Sequence, residues 1–251
     1  MVADAIHISL SAETIFHVGS FAITNSMFTS SLVSLLLIGL ALVANRKLTD
    51  TDRPTGLQNF MEWVVEALFS LVHSITRDVR KTNRFFPLIA TFFLFILLNN
   101  WFGLLPGVGT ILKTEPTPAP ALPLFRAGTA DLNTTLALAI ISILATQLFG
   151  VRAQKLSYFK KFINFSSPIM FFVGILELIS EFAKVISFAF RLFGNIFAGE
   201  VLLVVIAALL PLGVPLPFYG LEIFVGFIQA LVFSMLSLVF FNMATISHEE
   251  H

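Results

Sequence analysis

The longest apolar stretch of the chain, residues 167–210, constrains the fold more than any other feature. It has 44 residues, with no proline between Pro168 and Pro211. As one helix it would be about 66 Å long, roughly twice the thickness of a membrane's hydrocarbon layer. Two arrangements fit: two spans joined by a turn at Gly194-Asn195, or one long, tilted helix. The lack of an internal proline favours the single helix.

The composition restricts the chain to an integral membrane protein. Of its 251 residues, 57% are hydrophobic and 12% are charged, and the net charge is zero. A disordered chain would be less hydrophobic and more highly charged, and a nucleic-acid binder would carry a basic excess. The absence of cysteine excludes disulfide scaffolds and zinc-thiolate sites. A soluble domain of this size could not bury so much apolar surface.

The hydrophobic pattern predicts a single, all-α membrane domain of five transmembrane helices. Two of these, the last two, are over-long and are expected to lie tilted against something large. An additional helix within residues 57–75 is apolar with scattered polar groups, which predicts an interfacial helix in the loop 45–84. No half of the chain repeats the other, so an inverted-repeat transporter is not supported. The predicted spans are 27–44, 85–105, 132–151, 167–210 and 218–246.

Basic residues are distributed unevenly between the predicted loops. Eleven lie in residues 45–84 and 152–166, whereas the proline-rich loop 106–131 has only Lys113 and Arg126. The positive-inside rule therefore places the first two segments in the cytoplasm, with the N-terminus outside and the C-terminus inside. The N-terminal 25 residues lack the basic region of a signal peptide, which predicts an uncleaved N-terminus.

Six ionisable residues lie inside the last two apolar segments. A charge at the centre of a bilayer costs at least about 2.5–3.5 kcal/mol on insertion scales. Such residues usually face a protein interior or a water-filled path, so they are candidates for a functional site. They are Glu177, Glu181, Lys184, Arg191, Glu200 and Glu222.

Helical geometry sorts these residues into two polar tracks. At 100° per residue, the members of the first track fall within about 80° of arc, with Ser187 at its edge. Glu200 points to the opposite face, about 13.5 Å beyond Arg191 along the axis. On the last helix, Glu222 and Gln229 are seven residues apart and share a face. The first track consists of Glu177, Glu181, Lys184, Arg191 and Asn195.

Arg191 separates the two tracks and has no acid at i±3 or i±4. Glu181 and Lys184, by contrast, could simply neutralise each other, and Glu177 could extend to the membrane surface. A guanidinium remains charged under all accessible conditions, so Arg191 requires an acid from another helix or another subunit. The surrounding phenylalanines are interpreted as packing residues.

Residues 190–200, with the pattern R-L-F-G-N-x-x-A-G-E, resemble the signature of subunit a of rotary F-type ATP synthases. The resemblance extends to Gln229–Phe233 and to Asp131–Asn133, and it is weakest in residues 1–80. It implies a non-catalytic stator that faces a ring of c subunits, each with one essential carboxyl group. It further implies a peripheral stalk with subunit b and a bacterial inner membrane.

The resemblance also assigns roles to individual residues. Arg191 matches the family's essential arginine. Asn195, Glu200 and Gln229 match the half-channel on the outer side, and Glu177, Lys184 and Ser187 match the path to the cytoplasm. Many bacterial members have a histidine where this chain has Glu222, so the detailed proton transfer on that side is open.

The hypothesis for the mechanism is that a proton reaches a ring carboxylate from outside by the Glu200/Glu222 path. The neutral site then enters lipid, because its desolvation cost has vanished. After nearly a full turn, Arg191 favours the ionised acid, and the proton leaves along the Glu177 side. Whether the ion is a proton or sodium depends on the ring and stays open.

Two alternatives are a stand-alone transporter or ion channel and a structural scaffold. The first would need its own gating elements, and the second does not account for Arg191. No cofactor, metal or nucleic-acid site is predicted. Hydrolytic chemistry is not expected, because the chain has neither a phosphate-binding glycine loop nor a cysteine nucleophile. The pair His248 and His251 is interpreted as at most an adventitious metal site.

Overall fold

The computed structural model describes residues 9–47, 56–105, 108, 112–113, 122–162, 167–210 and 213–246. Arg53, the central prolines of the loop 106–131 and the predicted tail at 248–251 lie outside this part. Six α-helices account for most of it, which confirms the all-α prediction. They are α1 (Asn25–Lys47), α2 (Leu57–Thr76), α3 (Val79–Gly103), α4 (Leu132–Gln154), α5 (Pro168–Leu209) and α6 (Pro215–Ala244).

Five of these helices are long and apolar enough to cross a membrane: α1 and α3 to α6. The remaining helix, α2, is amphipathic and follows the position predicted for an interfacial helix. Large apolar side chains such as Phe60 and Trp63 are exposed on its surface, next to charged ones. That it lies at the membrane surface stays a prediction.

The segment 167–210 forms one continuous helix rather than two spans. Ser167 caps its start by accepting a hydrogen bond from the backbone N–H of Ile169, and Pro168 occupies the first turn. Proline is tolerated there because the first helical N–H groups have no partner within the helix. No kink-forming proline follows before the helix ends at Leu209, so the polar residues of α5 share one rigid scaffold.

Helix α3 begins six residues before the apolar run at Phe85. The carboxylate of Asp78 accepts a hydrogen bond from the backbone N–H of Arg80 at 2.8 Å and caps the helix. The basic residues 80–84 therefore belong to its first turns, not to a loop. Hydropathy alone placed the boundary later because long basic side chains can occupy a helix end in the headgroup region.

Phenylalanine rings form the centre of the bundle. Phe85 of α3, Phe149 of α4 and Phe241 of α6 contact one another, with ring centroids 4.9–5.8 Å apart. Phe233 contacts Phe188 of α5 at 5.1 Å in a second group. Edge-to-face pairs of this kind add specific geometry to the apolar burial. They place α6 against α3, α4 and α5.

Polar contacts fix the register of α6 against its neighbours. Asn100 and Trp101 of α3 donate side-chain hydrogen bonds to the backbone carbonyls of Gly226 at 2.8 Å and Ile223 at 3.0 Å. The hydroxyls of Ser142 and Ser237 lie 2.7 Å apart between α4 and α6. Interhelical hydrogen bonds are favourable where no water competes. They hold the part of α6 that carries Glu222 beside α3.

Short β-strands and 3₁₀ segments lie outside the six helices. They were not predicted from the sequence. The described residues contain two antiparallel hairpins: β1 (Thr14–Val18) with β2 (Phe21–Thr24), and β3 (Leu112–Lys113) with β4 (Leu122–Pro123). The first turns at Gly19, whose φ of 65° suits glycine. The 3₁₀ segments are Gly128–Ala130 and Lys155–Lys161.

Candidate functional site

Arg191 lies on an exposed part of α5 between two polar groups of residues. Its Nη2 donates a long hydrogen bond of 3.5 Å to Ser187 Oγ, and its guanidinium carbon is 6.0 Å from the centre of the Phe188 ring. Across the ranges that the structure describes, no carboxylate forms an ion pair with it. The acid that was expected from another helix of this chain is therefore not found among the described residues.

Glu200, nine residues further along α5, pairs with a buried arginine outside the bundle helices. The Nε of Arg126 is 3.1 Å from Glu200 Oε2, and its Nη1 donates a 3.1 Å hydrogen bond to the carbonyl of Ser11. The Arg126 backbone N–H is held by Thr29 Oγ1, and its guanidinium lies over the Phe197 ring. The side chain of Arg126 is only 6% exposed. A buried guanidinium needs such partners, because an uncompensated buried charge is strongly destabilising.

Glu200 and Glu222 line one cavity of about 240 Å³, here called the Glu200 cavity. The carboxyl group of Glu222 packs directly against Gly199, and any Cβ there would overlap it. A side chain at position 199 would therefore displace the Glu222 carboxyl group, which is the flexible end of its side chain. The space exceeds the roughly 10–15 Å³ that one water molecule needs. Besides the two acids, the polar residues of the cavity wall are Asn100, Arg126 and Tyr219.

A second polar group, here called the Glu181 cluster, lies near the other end of α5. Lys161 Nζ is 2.6 Å from Glu177 Oε1 and 3.5 Å from Glu181 Oε1, and Lys184 Nζ is 2.9 Å from the same Glu181 oxygen. The cluster consists of these two acids and two lysines, so it is neutral. The other oxygen of Glu181 is buried and accepts no hydrogen bond from a described residue.

The two groups lie a membrane thickness apart along α5. Nineteen residues separate Glu181 from Glu200, which corresponds to about 29 Å of helix rise, close to the ~30 Å hydrocarbon layer. Arg191 is ten residues from the first and nine from the second. The single helix α5 therefore carries one polar group on each side of Arg191, a cation that pairs with no described acid.

The sequence as a whole matches one protein family. The family model described as ATP synthase A chain matches residues 27–242. This chain belongs to the ATP synthase A chain family. The ATP synthase subunit a of Gloeobacter violaceus is 38% identical over 226 residues, which cover 90% of this chain and 85% of that protein. The subunit a of Trichlorobacter lovleyi is 34% identical over 236 residues, covering 93% and 92%.

The structure brings together some of the residues that the family resemblance singled out. Glu200 and Glu222 share a cavity, and the predicted Glu181–Lys184 pair is formed with Glu177 beside it. Asn195 is exposed and Gln229 is half-buried, and neither lines the Glu200 cavity.

Three residues of these groups were not found from the sequence. Arg126 and Lys161 were counted as loop residues that set the topology, although each pairs with a carboxylate of α5. Tyr158 was not noted, yet it is buried beside the Glu181 cluster, where its hydroxyl donates to Gln147 Oε1 at 2.8 Å. The ring of Tyr158 occupies the space that a side chain on Gly150 would need. The sequence signal that could have identified Tyr158 is an aromatic residue close to lysines in the short connection between α4 and α5.

The ionisation of Tyr158 is expected to lower the stability of this end of the bundle at alkaline pH. Burial, followed by the negative charges of Glu181 and Glu177, raises the pKa of Tyr158 from 10.0 to about 12. The folded protein therefore keeps a proton that the unfolded chain loses first. The resulting stabilisation is complete below pH 10 and is lost as the pH rises towards 12.

Thermal unfolding of the detergent-solubilised chain, followed by circular dichroism between pH 8 and 12, tests this expectation. The melting temperature should fall across the upper part of this range, and part of the fall should be missing in Tyr158→Phe, which cannot ionise. Superimposable pH profiles for the two proteins would contradict the assigned pKa.

Proposed function

We propose that the chain is the stator subunit of a proton-translocating ATP synthase membrane sector. In this role it offers two offset half-channels and one arginine to a rotating c-ring, so that proton flow drives rotation and ATP synthesis. The chain itself has no catalytic role in nucleotide chemistry. The proposal places it in the bacterial cytoplasmic membrane, with the N-terminus outside and the C-terminus in the cytoplasm.

The observation that carries the proposal is the environment of Arg191. It is exposed on α5, at the midpoint between the Glu200 cavity and the Glu181 cluster, and no described acid pairs with it. An arginine cannot release its proton, so its charge must be compensated in the membrane by an external carboxylate. A ring of c subunits, each presenting one carboxyl group, would supply such a partner repeatedly.

The Glu200 cavity supports the outer half-channel. It contains two carboxyl groups in a space that accommodates several water molecules. A proton can pass from water to Glu200 and Glu222 and then to a ring carboxylate. Once neutral, that carboxyl group can enter lipid, because the cost of desolvating its charge is gone.

The Glu181 cluster supports the inner half-channel. When a protonated ring site reaches Arg191, the positive charge favours the ionised carboxylate and the proton is released. Ser187 and Lys184 follow Arg191 towards the cluster, where Glu177 and Glu181 can relay the proton to the cytoplasm. Asn195 and Gln229 are proposed to line the approach of the ring on the outer side.

The arginine also separates the two paths. A proton that moved directly from the Glu200 cavity to the Glu181 cluster would have to pass a fixed positive charge, which opposes it. Transport is therefore coupled to ring movement, and each proton contributes about 2.3 kcal/mol per 100 mV of membrane potential. The proposed partners are the c-ring, subunit b of the peripheral stalk, membrane lipid and protons.

Isolation of the tagged chain from its native membrane in mild detergent tests the assignment. We expect it to be recovered with an oligomeric ring of c subunits and a peripheral stalk, and the reconstituted complex to pump protons when given ATP. Recovery of the chain alone, with ion transport in liposomes by itself, would instead support a stand-alone transporter or channel.

A further inference from the structure

Arg126 separates two cavities on the outer side of the proposed proton path. The first is the Glu200 cavity, which contains Glu222. The second has a volume of about 50 Å³ and lies beneath the N-terminal segment, where Ser9 and Glu13 form part of its wall. Arg126 and Glu200 line both cavities. Their ion pair therefore stands at the boundary between the two spaces.

The N-terminal segment is firmly attached at this point. The backbone N–H of Asn25 donates to the carbonyl of Glu13 at 2.9 Å, and the backbone N–H of Glu13 donates to Asn25 Oδ1 at 3.3 Å. Two residues earlier, the carbonyl of Ser11 accepts from Arg126 Nη1. One edge of the Arg126 guanidinium is thus already hydrogen-bonded to the segment that carries Glu13.

Protonation of Glu200 would leave the guanidinium of Arg126 without its counter-charge. A proton bound to the Glu200 carboxylate removes the negative charge that compensates the buried guanidinium, and the guanidinium cannot lose its own proton. It must then find another anion. The described titratable groups that border the two cavities are Glu13 on the N-terminal segment, Glu200 on α5, and Tyr219 and Glu222 on α6.

We propose that Arg126 is the gate of the outer half-channel, and that its guanidinium alternates between Glu200 and Glu13 as Glu200 gains and loses a proton. Glu13 is the favoured second partner, because Arg126 Nη1 already bonds the carbonyl of Ser11, two residues before Glu13, and Glu13 lines the smaller cavity together with Arg126. An arginine has five N–H donors in a planar fork, so it can keep the Ser11 bond while changing carboxylates. Glu222 is the competing partner, and the experiment includes it.

The exchange orders the steps of proton uptake. With Glu200 ionised, the Arg126–Glu200 pair blocks the boundary between the two cavities. A proton that arrives from the outer cavity binds Glu200, the pair dissociates, and the guanidinium moves to Glu13. Glu200 can now pass its proton towards Glu222 and the ring, after which the restored negative charge attracts Arg126 back. This inference rests on the proposed function, since it assumes that protons reach Glu200 from that side.

The test measures passive proton conduction by the reconstituted membrane sector as a function of the outer pH. Glu13→Gln should shift the half-maximal pH for conduction by about one unit towards acid, a tenfold change in the proton concentration needed, because Arg126 then stays on Glu200. Arg126→Gln should shift it in the opposite direction. The control, Glu66→Gln, removes an exposed acid on α2 and should not shift it.

The double variant Glu13→Gln/Arg126→Gln distinguishes the gate from a direct effect of charge. The gate predicts that the Glu13→Gln shift disappears when Arg126 is absent, since Glu13 acts through it. A shift that persists undiminished, or a Glu13→Gln profile equal to that of Glu66→Gln, would overturn the proposal. If Glu13→Gln leaves the profile unshifted and Glu222→Gln shifts it only while Arg126 is present, the second partner is Glu222 and Glu13 is not the acceptor.

Two further variants keep the outcome decisive. If Arg126→Gln does not assemble, Arg126→Lys takes its place in the cycle, because a lysine ammonium lacks the fork and the Glu13→Gln shift should become smaller. Glu200→Gln separates this inference from the proposed function. Conduction that survives in Glu200→Gln would contradict the half-channel itself, whereas blocked conduction together with an unshifted Glu13→Gln profile would contradict only the gate.

Discussion

Replacement of Arg191 by alanine is expected to abolish ATP-driven proton pumping by membrane vesicles. The Arg191 side chain lies between the two polar groups of α5 and pairs with no described acid. In the proposed mechanism, its positive charge makes a ring carboxyl group release its proton. Without it, the ring site has no fixed counter-charge, and the barrier to direct transfer between the two half-channels is lost. Pumping should fall to the background level, and passive leakage should remain.

The measurement is the quenching of a pH-sensitive dye in inverted vesicles after addition of ATP. A matched control is Arg152→Ala, which removes an exposed arginine at the end of α4 that lies outside both polar groups. Assembly of the complex is verified from the amount of c-ring recovered with each variant. Coupled pumping in Arg191→Ala at the level of the control would refute the role assigned to this residue.

The second large effect is expected from removing both acids of the Glu200 cavity. Glu200→Gln combined with Glu222→Gln keeps the shape of the side chains but leaves no carboxylate that can accept a proton. General acid–base steps of this kind typically contribute 10²–10⁴-fold to a rate, so proton conduction through stripped membranes should fall by at least about a hundredfold.

The two single variants show how the acids share the transfer. Glu200 is paired with Arg126, whereas Glu222 packs against Gly199 and forms no hydrogen bond or ion pair with a described residue. We therefore expect Glu200→Gln to have the greater effect, because it also strands the buried guanidinium. Glu66→Gln again serves as the control. Unaltered passive flux in the double variant would show that protons take another path.

Helical periodicity was sufficient to predict the long scaffold of the site. The absence of proline between Pro168 and Pro211 favoured one continuous helix, and the 100° rule separated Glu200 from the polar track that contains Glu181 and Arg191. Both inferences depend only on local backbone geometry, which hydrophobic sequence patterns report directly. The Glu181–Lys184 pair, three residues apart on one helix, could be anticipated for the same reason.

Contacts between distant segments could not be predicted in this way. Arg126 lies 74 residues before Glu200, in a proline-rich loop where a basic residue ordinarily faces water. Its burial depends on Thr29 of α1 and Ser11 of the N-terminal segment, and no local pattern connects these positions. The hairpin β1–β2 did leave a local signal, since Gly19-Ser20 separates two runs rich in branched and aromatic residues. Its effect on the site depends on tertiary packing.

The length of α5 has a consequence for the electric field across the proposed path. Water in the Glu200 cavity and around the Glu181 cluster would carry the potential of each side inward, so little of the voltage falls within either half-channel. Nearly all of it would then fall across the part of α5 around Arg191 that lies between the two groups. The membrane voltage thus acts mainly on the lateral step in which a ring site passes Arg191.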